Sequence, residues 1–152
     1  MTDIQDTLVL VKPDGVERNL IGAILARIEA KGYVIADLKM LTASRDLLAA
    51  HYAEHQGKPF FEPLVAFMSG GPVVDLRVRG HRVIEGFRAL AGATDPTTAP
   101  PGSIRGDLGR DWGTPVQKNL VHGSDSPASA ERELALWFGG KAWRAMQIVG
   151  WR

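Results

Sequence analysis

Apolar positions set the rhythm of this chain. Thr7-Leu8-Val9-Leu10-Val11 is an unbroken, largely β-branched run closed by Lys12-Pro13-Asp14-Gly15, which predicts a strand followed by a turn. From Val16 to Ala30, Ile21, Ile24, Leu25 and Ile28 recur at helical spacing, and Gly32 is placed to end that helix. Tyr33 to Leu41 predicts a second strand. Ser44 starts a helix over Arg45 to His55, Gly57-Lys58-Pro59 break it, and Phe60 to Met68 is a further amphipathic piece. After the turn at Gly70-Gly71-Pro72, Val73 to Val78 predicts a third strand, and Gly80 precedes a helix from His81 to Leu90. A last strand is predicted over Val116 to His122, and Ser126-Pro127 opens a helix that runs to Trp137.

That order of elements fits an α+β fold, a ferredoxin-like βαββαβ unit with a four-stranded antiparallel sheet and helices on one face. The chain of 152 residues (1–152) is expected to form a single domain, since that length buries a core without staples. Between Gly92 and Pro115 lie four prolines and five glycines with no usable periodicity. Structureless stretches of that length inside a compact domain are usually functional.

Composition removes several classes of function. Apolar residues make up 45% and charged residues 23%, as in ordinary globular proteins. There is no cysteine, so disulfides, thiolate metal sites and cysteine nucleophiles are excluded. The N-terminal stretch has no basic lead and too short an apolar run for a signal peptide, and no stretch reaches the length of a membrane span. A cytoplasmic location is expected. The net charge of +1 gives no global field, which makes nucleic acid an unlikely partner.

The candidate chemistry centres on Asn119-Leu120-Val121-His122-Gly123-Ser124-Asp125-Ser126, where a histidine stands between a strand end and the turn into a helix. Such a histidine points out of the edge of the fold. Lys12, Arg88 and Arg105 form a scattered cationic set, whose interest depends on convergence with His122; the predicted topology does not force it. His51-Tyr52-Ala53-Glu54-His55 fits an H-x-x-E-H zinc pattern, but Pro59 closes the segment and no third ligand is evident. A solvated helix turn, with Tyr52 facing a site, is the preferred reading. Neither a Walker loop nor a dinucleotide glycine fingerprint occurs.

Longer motifs carry a family likeness. From TLVLVKPDGVERNLIG through HYAEHQGKPFF, SGGPVV, GATDP and PGSIRGD to NLVHGSDSPASAERELALWF, the chain resembles the nucleoside diphosphate kinases over nearly its whole length. The resemblance implies transfer of the γ-phosphate of ATP, or another triphosphate, to nucleoside diphosphates by a ping-pong route through phospho-His122, carried on Nδ1. It implies that Lys12, Arg88, Thr94 and Arg105 hold phosphates, that Phe60 stacks on the base, and that Asn119 with Lys12 binds the sugar hydroxyls. Tyr52, Ser124 and Glu133 match the supporting residues around the histidine. Mg2+ is the implied cofactor, held mainly by the nucleotide's phosphates, and no protein side chain is assigned to it. Nucleoside di- and triphosphates are the implied partners, with a homo-oligomer, tetramer or hexamer.

The chemistry makes sense from the residues. Neutral imidazole, with an ordinary pKa of about 6.5, is a competent nucleophile at physiological pH. Phosphoryl transfer asks mainly for positioning and for cations around the equatorial oxygens. Every base has a π-face, so stacking tolerates all of them. Two departures stand out. The loop between Arg105 and Asn119 is longer than the family's usual spacing, the extra residues falling near Asp111 to Pro115. The tail carrying Trp143, Met146 and Trp151 also differs, and a packing or subunit-contact role is expected there. An RNA-binding module of the same architecture would need exposed aromatics on its central strands, and Val73 to Val78 has none.

Overall fold

The structure, a computed structural model, describes residues 4–139. The motif-bearing tail residues Trp143, Met146 and Trp151 lie outside them. A four-stranded antiparallel sheet runs in the order β2-β3-β1-β4, with β1 Ile4–Val11, β2 Val34–Leu41, β3 Val73–His81 and β4 Val121–Gly123. β1 pairs along its whole length with β3, from Ile4 opposite His81 to Val11 opposite Val74. Its last three residues also pair with β4, which sets Leu10 opposite His122. This is the ferredoxin-like strand order that the sequence pattern predicts.

The helices lie on both faces of the sheet, not on one as expected. Alternate β1 residues enter two separate cores. Val9 and Val11 pack with Ile24, Ile28, Leu76 and Phe87, and Leu8 and Leu10 pack with Leu48, Phe61, Met68, Leu134 and Trp137. The first core lies under α2 (Ile21–Ala30) and α5 (Val83–Ala91), the second under α3 (Arg45–His51), α4 (Phe61–Ser69) and α7 (Pro127–Phe138). A strand buried on both faces reads as a continuous apolar run, and LVLV is that signature.

Local chemistry explains the element boundaries. The single helix expected over Val16 to Ala30 is two, α1 (Pro13–Glu17) and α2, because Asn19 turns the chain through left-handed backbone (φ 58°). Gly32 (φ 93°) ends α2 as expected, with its N–H on Glu29 O and the Tyr33 N–H on Ile28 O. Ser44 caps α3 and Ser126 caps α7, each accepting from the backbone N–H three residues on. β3 runs past Val78 through Gly80, which the sequence pattern placed before a helix. A Cβ at Gly80 would stand 2.7 Å from the Tyr33 ring that packs over it. The stretch from Gly92 to Pro115 is not structureless, since α6 (Ile104–Leu108) forms within it, capped by Ser103. No helix among the described residues is long and apolar enough to cross a membrane.

The strand expected over Val116 to His122 is only Val121–Gly123. Leu120 takes a left-handed backbone (φ 73°) that stops the ladder. The turn is held at both ends: the Leu120 N–H donates to the buried Asp14 carboxylate at 3.1 Å, and its carbonyl accepts from the Lys12 N–H at 2.8 Å. This is what brings the end of β1 to the approach of β4.

Candidate active site

His122 occupies the middle of the edge strand β4, its side chain about one-fifth exposed. Its Nε2 lies 2.9 Å from Glu133 Oε1 on α7, and the same oxygen accepts the Ser124 hydroxyl at 2.7 Å. Ser124 is itself fixed, because its Oγ accepts from the Leu8 N–H at 3.2 Å. Burial opposes ionisation of Glu133, but the His122 and Ser124 hydrogen bonds and the His122 charge outweigh it and hold the carboxyl below its usual range. A carboxylate at Nε2 selects the tautomer with the proton there, which leaves the lone pair on Nδ1. Gly123 lets α5 come close, since a Cβ would stand 2.6 Å from the Phe87 ring, and Arg88 follows Phe87 on that helix.

The cations that the sequence left scattered are brought together. Lys12, Arg88, Thr94, Arg105, Asn119, His122 and Glu133 line one cavity of about 340 Å³. Lys12 Nζ donates to Asn119 Oδ1 at 2.8 Å, and Asn119 Nδ2 donates to the Thr94 carbonyl at 3.0 Å. The Arg105 guanidinium grips three backbone carbonyls, of Gly92, Asn119 and Val121, at 2.7 to 3.1 Å. Burial and then the Arg105 charge pull Lys12 down to about 8, against the opposing pull of Asp14. Burial and the Arg88 charge bring Arg105 down to about 10, so it stays cationic at neutral pH. A cavity with this lining suits a polyanion.

A groove of about 600 Å³ adjoins it, sharing Lys12, Thr94 and Asn119, and is walled by Phe60, Pro63, Leu64, Pro115 and Val116. Phe60 is half exposed there. A third cavity, about 440 Å³ and lined by Gln5, Asp6, Arg77, Glu131 and Leu134, has no histidine in its lining, and its Asp6 is already paired with Arg77 and Arg79.

Tyr52 follows α3 beside His51 (ring centroids 4.6 Å apart), and burial and the Glu133 charge keep its phenol protonated. One sequence reading needs correction. The His51 to His55 segment is not a solvated helix turn. α3 stops at His51, a short 3-10 turn carries His55, and His51 is 3% exposed. The sequence did hold a signal for this, because His51 follows the buried Leu48 by three residues on one helix face. His51, His122 and Glu133 place one ligand-type atom each within 4.8 Å of one another. A cation there would have to displace the Ser124 and His122 hydrogen bonds to Glu133 or the Trp137 bond to His51.

Comparison with known proteins settles the lineage. The sequence profile of the family described as "Nucleoside diphosphate kinase" matches residues 5–142. The chain belongs to the nucleoside diphosphate kinase family. Among curated relatives, the nucleoside diphosphate kinase of Streptomyces avermitilis is 59% identical over 138 residues, covering 90% of this chain and 98% of that protein. That of Mycobacterium tuberculosis is 57% identical over 135 residues, covering 88% and 96%. Two solved nucleoside diphosphate kinases share the fold. The Halobacterium salinarum enzyme in complex with CDP superposes with a TM-score of 0.83 at 46% identity, covering 88% of this chain and 87% of that one. The Borrelia burgdorferi enzyme, solved as a transition-state mimic with vanadate and ADP, gives 0.83 at 36% identity, covering 90% and 88%. The nucleoside diphosphate kinase profile spans the insert near Asp111 to Pro115 and stops before Trp143.

Proposed function

We propose that this chain, taken as one catalytic domain over residues 1–152, transfers the γ-phosphate of ATP or another nucleoside triphosphate to nucleoside diphosphates, with His122 as the carrier. One observation carries the reading: a histidine whose Nε2 is committed to Glu133 lines the same cavity as Lys12, Arg88 and Arg105. In the first half-reaction the Nδ1 lone pair forms a bond to the γ-phosphorus while the bridging P–O bond breaks and the diphosphate leaves. The Nε2 proton stays on the ring, so the imidazole gains a positive charge, which the Glu133 carboxylate balances. Arg88 and Arg105 stabilise the charge on the transferring oxygens, Thr94 adds a polar contact, and Lys12 with Asn119 binds the sugar hydroxyls. Phe60 offers its face to the base. Ser124 holds Glu133, and Tyr52 supports the site from behind His51. An acceptor diphosphate then reverses the step.

Three cations face the cavity against Glu133, which is already engaged, and an exposed Asp125, so the donor set suits ionised phosphates better than a bare metal ion. Mg2+ therefore belongs to the reading as an ion carried in by the nucleotide, where it neutralises phosphate charge and orients the chain of phosphates. A cytoplasmic location, where nucleotide pools are held, and a symmetric homo-oligomer, tetramer or hexamer, complete the proposal.

The test is direct. Mg-ATP without acceptor should leave a phosphoenzyme that is acid-labile and alkali-stable, as a P–N bond is and a serine ester is not, and a diphosphate should discharge it. His122→Ala should abolish labelling. Ser124→Ala, which removes the hydroxyl's bond to Glu133 along with the one it accepts from the Leu8 N–H, should slow labelling by roughly tenfold, about 1–1.5 kcal/mol. An acid-stable label, or full activity in His122→Ala, would refute the mechanism.

A further inference from the structure

Behind His122 lies a buried histidine that the proposed mechanism does not use. His51, the last residue of α3, is boxed by aromatic rings. Tyr52, His122 and Trp137 meet it edge-on, with centroids 4.6, 4.8 and 5.7 Å away and planes at 74° to 89°. The Trp137 indole N–H donates to His51 Nδ1 at 3.0 Å. Indole nitrogen only donates, so Nδ1 must hold the lone pair and the His51 proton must sit on Nε2. The ring is thereby fixed as one neutral tautomer.

We propose that His51 is a positioning residue for phosphoryl transfer, which transmits the fixed orientation of Trp137 to the His122 ring and sets an uncharged polar group beside the His122–Glu133 pair. The proposal rests on the reading of His122 as the carrier. Its logic lies in the charge that appears during transfer. When Nδ1 takes the phosphoryl group and the diphosphate leaves, the His122 ring becomes cationic, its proton still on Nε2 and hydrogen-bonded to Glu133. A second cation at position 51 would repel that ring and compete for the carboxylate. The groups around His51 keep it from becoming one. Burial acts first, then the charge of His122 on β4, Arg132 on α7 and Lys12 after β1, against an opposing pull from Glu133; together they bring His51 down to about 3. An aliphatic side chain in its place would fill the space but leave the Trp137 N–H without a partner and His122 against a non-polar wall.

Two variants separate positioning from packing. His51→Leu should slow single-turnover labelling by Mg-ATP roughly 10- to 100-fold, as expected for a slightly misplaced reacting group, with nucleotide affinity unchanged. His51→Asn, whose amide oxygen can accept from Trp137, should recover most of the rate although it packs less well. Equal rates in His51→Leu and wild type, or a loss confined to affinity, would overturn the proposal. Should His51→Leu fail to fold, nitrogen-15 NMR of the wild-type protein decides. His51 should appear as the Nε2–H tautomer, should not titrate between pH 5 and 8, and should shift when His122 is phosphorylated. A proton on Nδ1, or titration near its ordinary value, overturns it. Failure of the wild type to label at His122 removes the carrier reading and this one with it, whereas normal labelling in wild type and both variants removes His51 alone.

Discussion

Lys12 sits among groups that disagree about its charge. Burial and Arg105 favour the neutral amine, Asp14 favours the ammonium, and the balance lies at about 8. A nucleotide's phosphates favour the ammonium strongly, so binding above pH 8 must draw a proton onto Lys12. Nucleotide affinity should therefore hold up to about pH 8 and fall as the pH rises beyond it. Calorimetry at pH 8.5 in buffers of different ionisation enthalpy should show proton uptake. Lys12→Arg, which keeps its charge, should flatten the slope, and a wild-type affinity constant from pH 7 to 9.5 would contradict the assignment. At this scale the sequence was most informative: the residues named around His122 were legible because reactive types sit in long, colinear motifs. What it lacked was convergence. Lys12 meets Asn119 only because a left-handed Leu120 and the buried Asp14 fold the approach to β4 back onto the end of β1, and φ at a leucine leaves no trace in a hydropathy pattern. His51 was missed for a related reason. Its partners Trp137 and His122 lie far along the chain, while the nearby His55 suggested a zinc spacing instead.

Most of the elements could be read from apolar periodicity and caps, and the errors fall where side chains from elsewhere decide. Gly80 belongs to a strand because Tyr33 needs its bare face, and α6 hides between prolines because one capped turn is too short to show a period. The insert near Asp111 to Pro115 is a coil whose Trp112 ring lies under the guanidinium groups of Arg110 at 4.5 Å and Arg18 at 5.4 Å. Arg18 also donates to the Leu108 carbonyl at 2.7 Å, so the insert rests on the chain just after α1. Its far end is different, since Pro115 and Val116 wall the groove beside Phe60. Removing residues 111–114 while keeping Pro115 should thus spare phosphoenzyme formation and change nucleotide affinity by less than about tenfold, ~1.4 kcal/mol, the cost of one re-aimed wall. Loss of the labelled species after that deletion would mean that the insert shapes the phosphate cavity.

On the scale of the whole molecule, the sheet carries a buried carboxylate with a long ion pair and an open edge at β2. Asp75 is fully buried in β3, with Lys39 Nζ at 3.5 Å, long for a hydrogen bond, and burial pushes its carboxyl up to about 6. Its unfolded value is lower, so the folded state binds the extra proton between about pH 4 and 6, and stability falls as the pH rises through that window. Asp75→Asn should stabilise the protein by about 1–3 kcal/mol above pH 7, with the gain fading toward pH 4; urea unfolding at pH 7.5 and 4.5 measures both, and an equal gain at the two values would rule the charge out as its source. The open edge bears on assembly. The loop from Gly92 to Pro115 is anchored within the chain by the three carbonyls that hold Arg105 and by the Arg27–Asp107 ion pair at 2.7 Å. The stronger reason for an oligomer is β2, an edge strand on which Leu38 and Met40 are each about half exposed. In a two-fold pair each counts twice, and burying the exposed halves of four large aliphatic side chains contributes roughly 3–6 kcal/mol. Light scattering on the wild type should therefore give a multiple of the 16.5 kDa chain. Leu38→Lys combined with Met40→Glu should weaken association by about 10²- to 10⁴-fold while leaving His122 labelled by Mg-ATP, because Leu38 and Met40 are not among the residues around the phosphate cavity, where Lys12, Arg88, Arg105 and His122 stand. A wild-type protein that stays monomeric and fully active at micromolar concentration would show that this edge has no partner.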